Sequence, residues 1–313
     1  RITGNFYYYT ILKGNFMSFL SAVQQARFLI LDGALGTELA RRGIVIELPL
    51  WSANAILHNP QAIVEIHSDY IRAGADIITT ATFRTDSLTF TRAGLTEKQA
   101  AEATFQAVEL AREAIADVHS TRQIWIAGSI APLADCYEPE SAPDFNTALR
   151  IHRQRAQWLA EAGVDFALLE TMNNLSEAKA ASIAALETGL PVFTSFILNE
   201  NGVLLSGEDI WLVMSEIKKL GVAGLGINCT HHSLISNFLE NYRSKFDLPL
   251  ILYANAGIYL RNTGWRQDPD FTPQNYAQIA ANWLKSGAKI IGGCCGTTPD
   301  FIKALADLRK SPV

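Results

Sequence analysis

Ala73-Gly74-Ala75-Asp76 decides how this chain folds. The tetrapeptide closes a stretch of helical periodicity and opens a short apolar run. Variants of it recur as Ala162-Gly163-Val164-Asp165, Leu220-Gly221-Val222-Ala223 and Ser286-Gly287-Ala288-Lys289. In each, glycine supplies the left-handed residue with which a helix stops and turns into a strand. Working outward from these joints, eight apolar runs stand out, at 28–31, 76–80, 124–127, 166–169, 192–196, 224–227, 250–253 and 290–291. They are short and continuously apolar, the pattern of parallel strands covered on both faces. Amphipathic stretches fill the gaps at 60–73, 96–118, 148–162, 176–188, 209–220, 234–244, 273–286 and 299–309. Pro60 suits a first helical position, Ser176 and Thr298 read as N-caps, and Gly163, Gly189, Gly221 and Gly287 read as helix stops. Eight strands alternating with helices predict an α/β protein built as a single (β/α)8 TIM barrel, with an open doubly wound sheet as the alternative.

The size agrees. The chain has 313 residues, and a barrel of about 250 residues folds as one unit. Hydrophobic residues make up 49% and charged residues 18%, enough apolar material for a large core. No linker or low-complexity tract divides the chain. Lys and Arg number 26 against 31 Asp and Glu, for a net charge of −5, and no basic run exceeds two residues. Nucleic acid and anionic membrane are therefore excluded as expected partners. No apolar run reaches the roughly 18 residues a spanning helix needs. Residues 1–16 lack an initiator Met, are rich in Tyr and Phe, and do not have the organisation of a signal peptide. Met17 reads as the natural start, with 1–16 a non-native or disordered extension and 17–313 one domain. Four cysteines are too few for a disulfide framework, so a reducing cytoplasm is expected.

Barrel enzymes place their chemistry at the C-terminal ends of the strands. The unusual polar residues fall there: Asp32, Thr80 and Thr82, Glu170, Asn228 and Cys229, Asn255, and Cys294 with Cys295. Cys229 lies in Gly-Ile-Asn-Cys-Thr, and the cysteine pair lies in Gly-Gly-Cys-Cys-Gly-Thr-Thr-Pro. Adjacent cysteines on a regular strand face opposite sides. Gly292, Gly293 and Gly296 let the backbone leave that geometry, so that three thiols can converge on one ion. Three sulfurs and one open position are the arrangement of a catalytic zinc. A vicinal disulfide in an oxidised form and a phosphate cradle at Gly292-Gly293 are the competing readings. Cys136 stands apart and reads as a buried, inert thiol. Asp32 and Glu170 are suited to act as acid and base or to hold an ammonium group together; helix capping and a routine ion pair are the plainer alternatives. Backbone amides around Gly33 suit a substrate carboxylate. His231 and His232 invite a mixed ligand set with Cys229, but capping of the following helix or solvent exposure is favoured. The Asn255 amide oxygen is placed to fill a fourth metal position.

Five blocks together resemble the homocysteine-binding domain of the homocysteine S-methyltransferases. They are Leu31-Asp32-Gly33-Ala34-Leu35-Gly36-Thr37, Glu170-Thr171, Gly226-Ile227-Asn228-Cys229, Tyr253-Ala254-Asn255-Ala256-Gly257 and Gly292-Gly293-Cys294-Cys295-Gly296-Thr297-Thr298-Pro299. They span nearly all of the chain after Met17, and Trp51-Ser52 and 79–83 are similar too. The resemblance implies a (β/α)8 barrel with Zn2+ held by Cys229, Cys294 and Cys295 and no catalytic residue beyond that site. It implies that Asp32 and Glu170 hold the amino group of L-homocysteine, with Gly33 and Asn255 as further substrate-site residues and Asn255 as a resting zinc ligand. The family commonly has Tyr-Pro-Asn where this chain has Tyr253-Ala254-Asn255, which loosens the turn. The cobalamin-dependent relatives append further modules and the betaine-dependent ones are longer. Short stand-alone members use S-methylmethionine, and some accept S-adenosylmethionine. The expected reaction is therefore methyl transfer from a sulfonium donor to the homocysteine thiolate, with Trp51, Phe83 and Tyr253 either facing the cation or packing in the core. Betaine-dependent or other thiol or selenol methyl transfer is the alternative on the same barrel. From other classes come a zinc hydrolase, although no H-E-x-x-H occurs, and a non-catalytic zinc-binding protein.

Overall fold

The computed structural model describes residues 18–310 apart from 246, 261–263 and 269. Residues 1–16 thus lie outside the described residues. The strands are β1 (Leu29–Ile30), β2 (Ile77–Thr79), β3 (Trp125–Ile130), β4 (Phe166–Met172), β5 (Val192–Phe196), β6 (Gly224–Asn228), β7 (Leu250–Ala254), the hairpin pair β8 (Gly257–Leu260) and β9 (Gly264–Gln267), and β10 (Ala288–Gly293). Eight of them form one parallel sheet in the order β1-β10-β7-β6-β5-β4-β3-β2. Its ends meet. Leu31 bridges Ile77, the Asp32 N–H donates to the Ile77 carbonyl at 2.9 Å, and the Asp76 N–H donates to the Ile30 carbonyl at 2.8 Å. The sheet is a closed (β/α)8 barrel, and the open-sheet alternative falls.

The repeated glycine joints work as their sequence implies. Gly74, Gly163, Gly221 and Gly287 have φ of 115°, 78°, 91° and 90°, a region that side chains with a Cβ rarely adopt. The expected helices are present; Pro60–Ala73 agrees at both ends and the others differ at one end or both. The expected N-cap at Ser176 is corrected: the helix is Leu175–Leu186, and Asn174 caps it by accepting the Glu177 N–H at 2.8 Å. Both residue types cap well, but only the Asn174 backbone has the extended geometry a cap needs. Thr96 and Gln99 form a reciprocal capping box on helix Glu97–Val118.

Several elements follow no long period and escape a sequence reading: the short helices Gly36–Arg41, Ala53–His58 and Ser87–Arg92, the β8–β9 hairpin, and the N-terminal helix Phe19–Gln25. The last has a structural task. Its Phe19 ring stacks on Phe166 at 3.9 Å and meets Trp125 and Phe193 edge-on at 5.6 and 5.7 Å. Those partners stand at the beginnings of β3, β4 and β5, so the helix closes the N-terminal end of the barrel. The opposite end carries the polar residues.

Candidate active site

A cavity of about 380 Å3 opens at the C-terminal ends of the strands. Asp32, Gly33, Glu170, Cys229, Cys294 and Cys295 all line it. Asn255 is buried behind it.

The thiols converge because two backbone turns are held tightly. Cys229 directly follows β6 and adopts φ 52°, an uncommon conformation for a residue with a Cβ. Asn228, just before it, is fully buried and ties this turn to the end of β4. Its Oδ1 accepts the Thr171 N–H at 2.9 Å, and its Nδ2 donates to Thr171 Oγ1 at 2.9 Å. Thr171 is also left-handed, with φ 61°, and it follows Glu170. One amide therefore fixes two strained turns, one bearing a thiol and the other a carboxylate. Just after β10, the Cys294 N–H donates to the Ala254 carbonyl at 2.9 Å, and the Cys294 carbonyl accepts from Thr297 Oγ1 at 2.7 Å. A Cβ at Gly293 would collide with Thr297 Oγ1, so only glycine lets this turn close. The result brings Cys229, Cys294 and Cys295 sulfurs within 4.8 Å of one another, with Cys229 and Cys295 at 3.8 Å. No disulfide joins them.

The electrostatics suit a cation. Hydrogen bonds from Cys294 and Cys295, with smaller help from Tyr137 and Asn255, hold the Cys229 thiol well below its ordinary range. The same contact with Cys229 pushes Cys294 and Cys295 up, so the three thiols lose a first proton readily and resist losing the others without a positive partner. The Tyr137 hydroxyl lies 3.4 Å from Cys229 Sγ. Sequence reading missed this residue, since a tyrosine in an irregular loop carries no periodic signal. Neighbouring Cys136 is buried, as expected, and lines the same cavity; burial pushes its thiol up. The Asn255 amide reaches Cys229, and its Oδ1 is buried without a hydrogen-bond partner. Three thiols that close on one point are a donor set that a metal centre uses, and the unpartnered Asn255 oxygen belongs to the amide whose N–H reaches Cys229. The donor set therefore fits a zinc ion.

Asp32 and Glu170 form the other wall. Asp32 caps no helix: its oxygens accept from the Thr79 N–H and Oγ1, both at 2.8 Å. Glu170 forms no close salt bridge among the described residues: Ser129 Oγ donates to one oxygen and the Tyr253 hydroxyl to the other, at 3.3 Å. Desolvation raises Asp32 to about 8 and Glu170 to about 7. Tyr253 is thus a core residue that orients Glu170. Trp51 and Phe83 line the cavity and meet edge-on at 5.6 Å. Beneath the rim the fully buried Arg155 donates to the carbonyls of Ala131 (3.1 Å), Ser129 (3.3 Å) and Thr82, joining the β2 and β3 loops; burial lowers it to about 10. Gly33 packs so closely on Tyr70 that a Cβ would lie 2.7 Å from its ring. His231 does cap helix His232–Tyr242, as favoured, by accepting from the Ser233 N–H.

The closed (β/α)8 barrel gathers at one rim a trithiol cluster that could hold a metal ion and a pair of buried carboxylates, the layout of a barrel enzyme's active site. The model of the homocysteine S-methyltransferase family matches residues 29–309. The chain belongs to the homocysteine S-methyltransferase family and is an enzyme of that kind. It is 33% identical to homocysteine S-methyltransferase 2 of Zea mays over 91% of each chain. It is 34% identical to the Escherichia coli homocysteine S-methyltransferase over 88% of this chain and 94% of that one. Selenocysteine methyltransferase of Astragalus bisulcatus is 30% identical over 92% and 94%. Among solved structures, the metallated form of the Escherichia coli homocysteine methyltransferase MmuM superposes with a TM-score of 0.80 at 32% identity, covering 92% of this chain and 98% of that one. The hydrolase and storage readings give way to this family. Among the described residues no helix is long and apolar enough to cross a membrane.

Proposed function

We propose that the chain transfers a methyl group from S-methylmethionine to L-homocysteine, with S-adenosylmethionine as a second donor. Zn2+ would be held by Cys229, Cys294 and Cys295, with Asn255 Oδ1 at the fourth position when no substrate is bound. Bound by these residues, zinc would supply a Lewis acid that favours the thiolate form of the homocysteine sulfur at neutral pH. The rest falls to the chain. Asp32 and Glu170 receive the substrate ammonium, and the cation in turn draws both carboxyls toward the ionised form that burial opposes. Amides around Gly33 face the carboxylate. Held at that end, homocysteine presents its sulfur toward the thiols, and alignment of the two reactants can contribute several kcal/mol. The Trp51 and Phe83 rings offer faces for a sulfonium. The donor S–CH3 bond breaks as the new S–C bond forms, and the donor leaves as a neutral thioether. No general base touches the methyl carbon.

The carrying observation is the meeting of three sulfurs within 4.8 Å at the rim of a cavity whose other wall is two buried carboxylates. The cavity, at about 380 Å3, is near the small end for ligand sites and suits two amino-acid-sized reactants better than one that carries a nucleoside. The test is methionine formation from homocysteine and zinc with S-methylmethionine, S-adenosylmethionine and betaine in parallel. S-methylmethionine should be fastest. Alanine at Cys229, Cys294 or Cys295 should remove both metal and methyl transfer. Full activity in a zinc-free triple variant would overturn this reading.

A further inference from the structure

We propose that His231, His232 and Asp268 form a second metal site, for a divalent transition ion, on the outer side of the loop that carries Cys229. One ligand atom from each residue lies within 4.8 Å of the others. His231 Nε2 and Asp268 Oδ2 are 3.6 Å apart. Metal–ligand bonds near 2.0 Å in a tetrahedron put neighbouring ligand atoms roughly 3.3 Å apart, so a small rotation of the side chains closes the site.

Each ligand has an outer partner that orients it. His231 Nδ1 lies 2.8 Å from Ser233 Oγ. Coordination through Nε2 puts the proton on Nδ1, so an ion exchanges the long cap contact from the Ser233 N–H, at 3.4 Å, for donation from Nδ1–H to that hydroxyl, the support that metal-bound histidines use. Asp268 is anchored through its other oxygen, which accepts the Asp270 N–H at 3.0 Å. The His232 ring packs on Phe271 at 5.2 Å and nearly parallel, and its centroid is 4.1 Å from that of His231. The side chains of His231 and Asp268 are 23% and 25% exposed, so water can complete the coordination and an ion can enter from solvent. Two imidazoles and one carboxylate select zinc, nickel, cobalt or copper over magnesium and calcium.

The second site is continuous with the trithiol cluster. Thr230 separates Cys229 from His231, and its carbonyl accepts the Asn255 N–H at 3.1 Å. Ala256 donates to the Cys295 carbonyl at 2.8 Å and accepts the Asp268 N–H at 3.2 Å. An ion at the outer site therefore ties the segment that bears Cys229 to Asp268, whose own N–H holds the residue after Asn255. Nothing in this site uses a thiol, so its occupancy is separable from the proposed zinc chemistry.

The experiment is metal titration of the reduced full chain, with Co2+ as the probe. Wild type should bind two ions. The thiol site gives intense sulfur-to-metal charge-transfer bands, and the second gives only weak ligand-field bands. His232→Ala and Asp268→Asn should each bind one ion and keep the charge-transfer bands. Removal of a direct ligand should weaken the outer site by more than the roughly 10–100-fold that loss of an outer partner costs. Cys229→Ser should lose the intense bands and retain the weak class, which separates failure of the thiol site from failure of this one. A single ion in wild type with charge-transfer bands intact, or two ions in both His232→Ala and Asp268→Asn, would overturn the proposal.

Discussion

Glu170→Gln should make the substrate-free enzyme more stable while weakening its grip on homocysteine. The Glu170 carboxyl is buried, and desolvation moves it from its ordinary 4.5 to about 7. That difference corresponds to about 3 kcal/mol of disfavoured ionisation. The folded-state value lies above the unfolded one, so between the two the folded protein keeps a proton that the unfolded chain has released. The contribution of Glu170 to stability is therefore greatest below about pH 4.5 and declines as pH rises through about 7. Glutamine is neutral at every pH, accepts from Tyr253 and escapes this decline. The stability advantage of the variant should be about 1 kcal/mol near pH 5.5 and about 3 kcal/mol near pH 8. Urea denaturation of both proteins, loaded with zinc, measures the difference directly, and other titrating groups cancel in it. In steady-state assays the variant loses one charged partner for the substrate ammonium, and KM for homocysteine should rise roughly 10–100-fold. A variant no more stable than wild type at pH 8, or one whose stability difference is flat with pH, would refute the account of Glu170 as a buried acid whose hydrogen bonds fall short of offsetting its desolvation. An unchanged KM would remove it from the ammonium seat.

Two further substitutions probe how the site is held. Asn228→Ala strips both hydrogen bonds from Thr171 and leaves a buried N–H unpaired, so urea denaturation should show a loss of about 2 kcal/mol, with KM for homocysteine raised through the displaced Glu170 turn. Phe19→Ala empties the aromatic stack at the closed end of the barrel and should cost about 3–5 kcal/mol by chemical denaturation, while kcat/KM stays within about twofold because the cavity lies at the other end.

Much of this architecture was legible because buried parallel strands and glycine-stopped helices leave one-dimensional marks. β5 agrees with its apolar run residue for residue, and the other strands differ only at their ends. The ends drift where the boundary is set by pairing with a distant strand: β3 runs on to Ile130 through polar Ser129 because β4 pairs with it there. Asp32, Glu170 and the three cysteines stood out because polar residues at the ends of apolar runs are conspicuous. Tyr137 and the Asn228–Thr171 pair did not, since their meaning lies in contacts between segments far apart in the chain. The N-terminal helix escaped notice because seven residues are too few for a helical period to emerge. Ser176 shows the local limit, where two good capping residues compete and backbone geometry chooses.

The Phe19 stopper makes the barrel a blind alley. The cavity lined by Asp32, Glu170 and the three cysteines opens at the other end, where Leu48 is 63% exposed, and under the proposed function both reactants come and go from that side. A reactant seated deep inside has to arrive before one seated nearer the entrance and cannot depart while that one remains. For the proposed reaction this predicts an ordered kinetic pattern, homocysteine binding before the donor and the demethylated donor leaving before the newly methylated product, which initial-rate and product-inhibition kinetics with S-adenosylmethionine as donor check.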